Sequence, residues 1–277
     1  MNVKSSEFMR KEEKALELTK KINMKTLKNI FQEKKNLLSI FFTAGYPNLN
    51  DTTAIISELS KNNVDFIEVG LPYSDPLADG PTIQDSSQVA LQNGMNLDIV
   101  FDQLKSIKDT NSTPLVLMGY LNQMLKYGED KFCQACVDCG IETLILPDLP
   151  MIEYENHYQQ LFKKYGLTNV FLITPHTSEE RIRKIDAFTE AFMYVVASSS
   201  ITGAKGEISK QQIDYFERIK SMNLKSNLII GFGISDVKTF NTACIYASGA
   251  IIGSAFIKHL SIHGTDNIAQ FIDPLKS

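Results

Sequence analysis

Basic charge, long apolar runs and metal-ligand motifs are all scarce in this chain of 277 residues. Its 28 Lys and Arg stand against 32 Asp and Glu, a net charge of −4, and no basic cluster carries interleaved aromatics. Nucleic-acid surfaces need such a basic footprint, so no nucleic-acid partner is expected. No apolar run approaches the roughly 18 residues of a membrane-spanning helix. The start lacks the apolar core of a secretory signal. The expectation is a soluble, cytoplasmic protein with no membrane partner. Cysteine is limited to Cys133, Cys136, Cys139 and Cys244. The first three have a spacing like that of iron–sulfur ligands, but no fourth thiolate lies near them. They fall in a segment, Tyr127 to Cys139, that reads as one helix closed by Gly140. Cys133 and Cys136 share a stripe with Phe132 there, which favours buried thiols over a cluster. The histidines His157, His176, His259 and His263 form no ligand motif, so no metal is expected.

Against these absences the composition is ordinary for a globular protein, with 43% hydrophobic and 22% charged residues. Short apolar runs rich in β-branched residues recur at Leu37–Thr43, Val64–Gly70, Pro114–Gly119, Thr143–Pro147, Val170–Thr174, Phe192–Ala197, Leu228–Gly233 and Ala250–Gly253. Nearly continuous apolarity is what parallel strands covered on both faces require. Helical patterns lie between them. Tyr158, Leu161, Phe162 and Tyr165 repeat at helical spacing before Gly166, and Ile268, Phe271, Ile272 and Leu275 repeat it at the end. Eight strands alternating with helices predict a (β/α)8 TIM barrel with an extra N-terminal helix, spanning residues 24–277 as one domain. A doubly wound sheet is the alternative, but the Gly-rich turn it carries after the first strand is missing. Residues 1–23 stand apart as an extension, either poorly ordered or a non-native start, with Met24 as the alternative initiator. Glu7, Glu12, Glu13 and Glu17 argue against an organelle transit peptide.

The stretch from Phe66 to Gln84 carries the chemistry. Glu68 interrupts an apolar strand, on the same face as Phe66 and Gly70. A carboxyl group buried in a parallel sheet is costly unless paired, and its pKa rises. The following loop is restricted by Pro72, Pro76 and Pro81, and it bears Asp75 and Asp79. Two carboxyl groups in different environments suit a reaction that gives and takes a proton. Plainer roles compete with this one. Glu68 fits half of a buried ion pair, Asp79 fits an N-cap before Gly80-Pro81, and Asp75 fits a turn.

In a barrel of this kind the chemistry lies at the C-terminal ends of the strands. Tyr120 and Asp148 follow the third and fourth strands, and Tyr194 lies on the sixth. The seventh ends in Gly231-Phe232-Gly233-Ile234-Ser235 and the eighth in Gly253-Ser254, where backbone N–H groups and a helix N-terminus suit a phosphate. Ser200 to Gly206, small and glycine-containing, suits a lid. A phosphate-anchored small substrate follows from this, but its identity does not; a sugar-phosphate isomerase fits equally well.

Glu68-Val-Gly-Leu-Pro-Tyr-Ser-Asp-Pro-Leu-Ala-Asp79-Gly-Pro-Thr-Ile-Gln is similar to the signature of the tryptophan synthase α-subunit family. Phe42-Thr-Ala-Gly-Tyr-Pro47, Pro147-Asp-Leu-Pro150, Ile201-Thr-Gly203, Gly231 to Ser235 and Gly249 to Ser254 support the resemblance over residues 25–277. It implies cleavage of indole-3-glycerol phosphate to indole and glyceraldehyde 3-phosphate, with no cofactor in this chain. It also implies transfer of the indole to a β subunit dependent on pyridoxal phosphate (PLP), in an α2β2 heterotetramer. Glu68, Asp79 and Tyr194 are then the catalytic set. Phe41, Ile83, Tyr120, Thr202 and Phe232 match substrate-pocket positions, and Gly203, Gly233, Gly253 and Ser254 match the phosphate cradle. A freestanding lyase and a regulatory subunit of low activity remain as alternatives. Ser200 stands where the family has glycine, which stiffens the expected flap.

Overall fold

The computed structural model describes residues 26–197 and 208–276. The extension 1–23 and the expected flap from Ser200 to Gly206 lie outside the described residues. The strands are β1 Leu37–Thr43, β2 Phe66–Gly70, β3 Leu115–Met118, β4 Thr143–Ile145, β5 Thr168–Val170, β6 Leu172–Ile173, β7 Met193–Val196, β8 Leu228–Gly231 and β9 Gly249–Ile252. All pair in parallel, in the order β5-β4-β3-β2-β1-β9-β8-β7-β6.

The two ends of that sheet are neighbours in the chain, separated by Phe171 alone. The expected single strand Val170–Thr174 is therefore two segments: one starts earlier and pairs with β4, the other pairs with β7. Tyr194 N–H donates to Phe171 O at 2.9 Å across the break. One strand bends to serve both neighbours, and the barrel closes through it. This is the (β/α)8 architecture, with a helix Leu27–Glu33 added before β1.

Register sets which side chains enter the barrel. Phe41 pairs with Glu68 and Glu68 with Val116, so these three share the inner face. The same alternation brings Tyr194 inward through its pairing with Ile229. At the N-terminal end Phe31, from the added helix, packs on Phe66 at 6.3 Å and Phe192 at 5.8 Å between ring centres. Aromatic packing plugs that end and leaves the other for the site.

The helix read over Tyr127 to Cys139 is divided. Gly128, at φ +94°, separates helices Leu121–Tyr127 and Glu129–Asp138. That backbone conformation is open to glycine and breaks the helical ladder. Phe132, Cys133 and Cys136 are buried together as the pattern required, and burial pushes the Cys133 thiol up to about 12.

Candidate active site

Glu68 is 1% exposed inside the barrel, and its Oε2 has no hydrogen-bond partner among the described residues. No ion pair to Glu68 occurs among the described residues, so the buried salt-bridge reading fails there. Burial, and then the negative charge of Asp79, raise its pKa to about 8. A carboxyl group in this state holds its proton at neutral pH.

Asp79 arrives from the loop. Leu77 N–H and Asp79 N–H close tight turns onto Asp75 O and Pro76 O. Gln84, from the following helix, donates to Asp79 O at 2.9 Å. The N-cap of that helix, Pro81–Gln92, is Gly80, not Asp79. The Asp79 carboxylate instead accepts from the Tyr120 hydroxyl at 2.7 Å. Burial raises its pKa to about 6, against the lowering effect of that hydrogen bond. Asp75 is exposed and accepts from Ser74 Oγ at 2.6 Å, the turn role expected of it.

The other expected residues surround this pair unevenly. Phe41 is buried, with its ring over Gly70 and beside Gly253; a side chain at Gly70 would meet the ring at 2.5 Å. Tyr194 is buried with its hydroxyl over Gly231, where only hydrogen fits. No hydrogen bond joins Tyr194 to Glu68 among the described residues. Burial, and then the charges of Glu68 and Asp79, keep its pKa well above the ordinary phenol value. Phe232 packs on Tyr194 with ring centres 6.0 Å apart, from a backbone at φ +65° that non-glycine residues rarely adopt. Ile83 and Tyr120 are buried. Thr202 and Gly203 lie outside the described residues.

Of the expected phosphate cradle, Gly233 is exposed at φ +84° and Gly253 is half-buried. Ser254 opens the helix Ser254–His263, whose first-turn N–H groups have no intrahelical partner. Such a terminus is suited to an anion.

Sequence reasoning missed the support around Asp79. Tyr73 stacks on Tyr120 at 5.0 Å and accepts a hydrogen bond from Asn122. Gln123 bonds both Pro72 O and Tyr120 N–H, and Asp148 accepts from Leu121 N–H. Polar residues clustered after β3 were the available signal. A separate cavity of about 580 Å³ lies at the opposite end of the barrel, against Leu27, Leu115 and Thr143, away from both carboxyl groups.

The family described as tryptophan synthase alpha chain matches residues 27–274. A tryptophan synthase alpha chain from Flavobacterium johnsoniae is 57% identical over 88% of this chain and 97% of its own length. One from Flavobacterium psychrophilum is 54% identical over 91% of this chain and all of its own. Among solved structures, a tryptophan synthase complex from Pyrococcus furiosus contains a chain similar to this one. It has a TM-score of 0.79 and 30% identity, covering 88% of this chain and 98% of that one. A chain of Mycobacterium tuberculosis tryptophan synthase aligns with a TM-score of 0.81 and 27% identity, over 91% of this chain and 97% of that one.

Proposed function

The chain belongs to the tryptophan synthase alpha chain family, and on that premise we propose that Glu68 and Asp79 carry its chemistry. The family's reaction is a lyase step of tryptophan biosynthesis, the cleavage of indole-3-glycerol phosphate to indole and glyceraldehyde 3-phosphate. The bond from indole C3 to the glycerol C3′ cannot break directly without expelling a poor carbanion. Protonation at C3 gives an indolenine, into which the bonding electrons can flow.

Protonated Glu68 delivers that proton to C3 while Asp79 takes the proton of the indole nitrogen. Glu68, now a carboxylate, then accepts the proton of the 3′-hydroxyl as the C3–C3′ bond breaks and the aldehyde forms. The electron pair moves into the ring, and Asp79 returns its proton to nitrogen. Both carboxyl groups end as they began. The phosphate, held by Gly233, Gly253 and Ser254 together with the Gly203 segment, supplies binding remote from the breaking bond. Phe41, Ile83, Tyr120, Thr202 and Phe232 enclose the indole, and Tyr194, keeping its proton, adds a hydroxyl to the wall.

The observation that carries this reading is the unequal setting of two carboxyl groups in one site: Glu68 is buried with its Oε2 unpartnered, while Asp79 accepts from the Tyr120 hydroxyl, and burial pushes them up to about 8 and about 6. One is an acid at neutral pH and the other a base. In Glu68→Gln the amide keeps the shape but cannot carry a proton. We expect indole release to fall by roughly 10²–10⁴-fold, toward the upper end because the group acts twice. Substrate binding should persist. Turnover above a tenth of wild type would reject Glu68 as the shuttle.

The partner belongs to the same proposal. The reading places a PLP-dependent β subunit over the C-terminal face, in a cytoplasmic α2β2 assembly that receives the indole. Leu77, 90% exposed between Asp75 and Asp79, gives that face an apolar contact. No helix among the described residues is long and apolar enough to cross a membrane.

A further inference from the structure

Sheet pairing between β2 and β3 stops at the register Gly70 to Met118, and Leu71 N–H adds one more bond, to Met118 O at 2.7 Å. Beyond it the chains diverge into the loop that bears Asp79 and the turn that bears Tyr120. The side-chain amide of Gln123 bridges the gap. Its Nε2 donates to Pro72 O at 2.9 Å, and its Oε1 accepts from Tyr120 N–H at 2.9 Å. Gln123 is buried, so neither bond competes freely with water. The amide acts as an inserted peptide group that continues the ladder one step past its end.

Tyr120, fixed in this way at its backbone, reaches over the far end of the same loop. Its hydroxyl accepts from Ala78 N–H at 3.0 Å and donates to Asp79 Oδ2 at 2.7 Å. Its ring carries Tyr73 in the middle. The loop is thus held at its start by Gln123 and at its end by the residue that Gln123 anchors. We propose that Gln123 is a positioning residue for the cleavage reaction, setting the place of the Asp79 carboxylate through Pro72 and Tyr120. The inference rests on the reading of Asp79 as the base.

The test measures kcat and KM for indole release in Gln123→Leu, in Asp79→Asn and in the double variant, together with thermal midpoints. Leucine fits a buried site and removes both bonds. Misplacing a reacting group by about 1 Å costs up to about 100-fold, so a fall in kcat of about tenfold is expected, with KM within about twofold. In the Asp79→Asn background Gln123→Leu should change kcat by less than about twofold, because residues acting through one group are not additive. Wild-type kcat in Gln123→Leu, or the same tenfold fall repeated on top of Asp79→Asn, overturns the positioning role. A fall in thermal midpoint with kcat unchanged overturns it too, leaving Gln123 a packing residue. Near-normal kcat in Asp79→Asn alone overturns the Asp79 reading and this inference together, so the two failures are told apart.

Discussion

Gly80 caps the helix Pro81–Gln92, so Asp79→Asn separates chemistry from folding. The amide can still accept from the Tyr120 hydroxyl, and no helix cap is lost. We expect thermal stability to be retained while indole turnover falls about 100-fold or more, the scale of a lost general base. Near-normal turnover would return Asp79 to a structural role. Glu68 was legible from the sequence because an acid inside an apolar strand has few explanations. Asp79 was legible as a candidate but not as a partner. Its bond to Tyr120 spans 41 positions, and nothing local in either segment announces it. Gln123 was illegible for a related reason. Its position at the third residue of the helix Leu121–Tyr127 suits the local capping-box bond to Tyr120 N–H, but the bond to Pro72 O spans 51 positions and neither segment announces it.

Strands were easier to read than the joints between them. Apolar runs located all eight, since burial on both faces is written into composition. The bend at Phe171 was not visible, because it answers the demand of closing the barrel rather than any residue preference. Gly128 did carry a signal, a glycine inside a helical stretch, which the apolar stripe through Phe132 obscured. Elements also meet at Asp65, buried at the start of β2. It accepts from Leu38 N–H at 2.9 Å, from Lys34 at 2.6 Å and from Lys276 at 3.0 Å. These join the N-terminal helix, the sheet and the C-terminal helix. Burial alone would raise the Asp65 pKa, but the Lys34 and Leu38 hydrogen bonds and the Lys276 charge hold it below the ordinary value. A depressed carboxyl pKa stabilises the fold above the unfolded value and loses that contribution as pH falls through the folded one. Asp65→Asn removes the charge that the half-exposed Lys34 and Lys276 share, and it should cost about 1–3 kcal/mol in urea unfolding at neutral pH, the range for removing one partner of a buried hydrogen bond. The gap to wild type should close as pH falls below about 4. Equal stability at neutral pH would show that the clasp contributes nothing.

At the scale of the whole molecule, one barrel end is sealed by Phe31, Phe66 and Phe192, and chemistry is left at the other. The β subunit proposed for that face has to meet the Asp79 loop, with Leu77 exposed on it. The isolated chain is expected to be a weak lyase whose turnover rises at least about tenfold on binding a cognate β subunit, equivalent to about 1.4 kcal/mol of barrier. Equal rates with the β subunit demonstrably bound would favour a freestanding lyase.

The most direct test of two carboxyl groups with divided roles is the pH dependence of kcat/KM for indole release, which reports the groups of the free enzyme. Asp79 must be ionised to take the indole proton, so the rate should rise as pH passes about 6. Glu68 must be protonated to attack C3, so the rate should fall as pH passes about 8. The expected profile is a bell with its maximum between those values. A rate that is flat across both, or still climbing above pH 8, would contradict the assignment of Glu68 as acid and Asp79 as base.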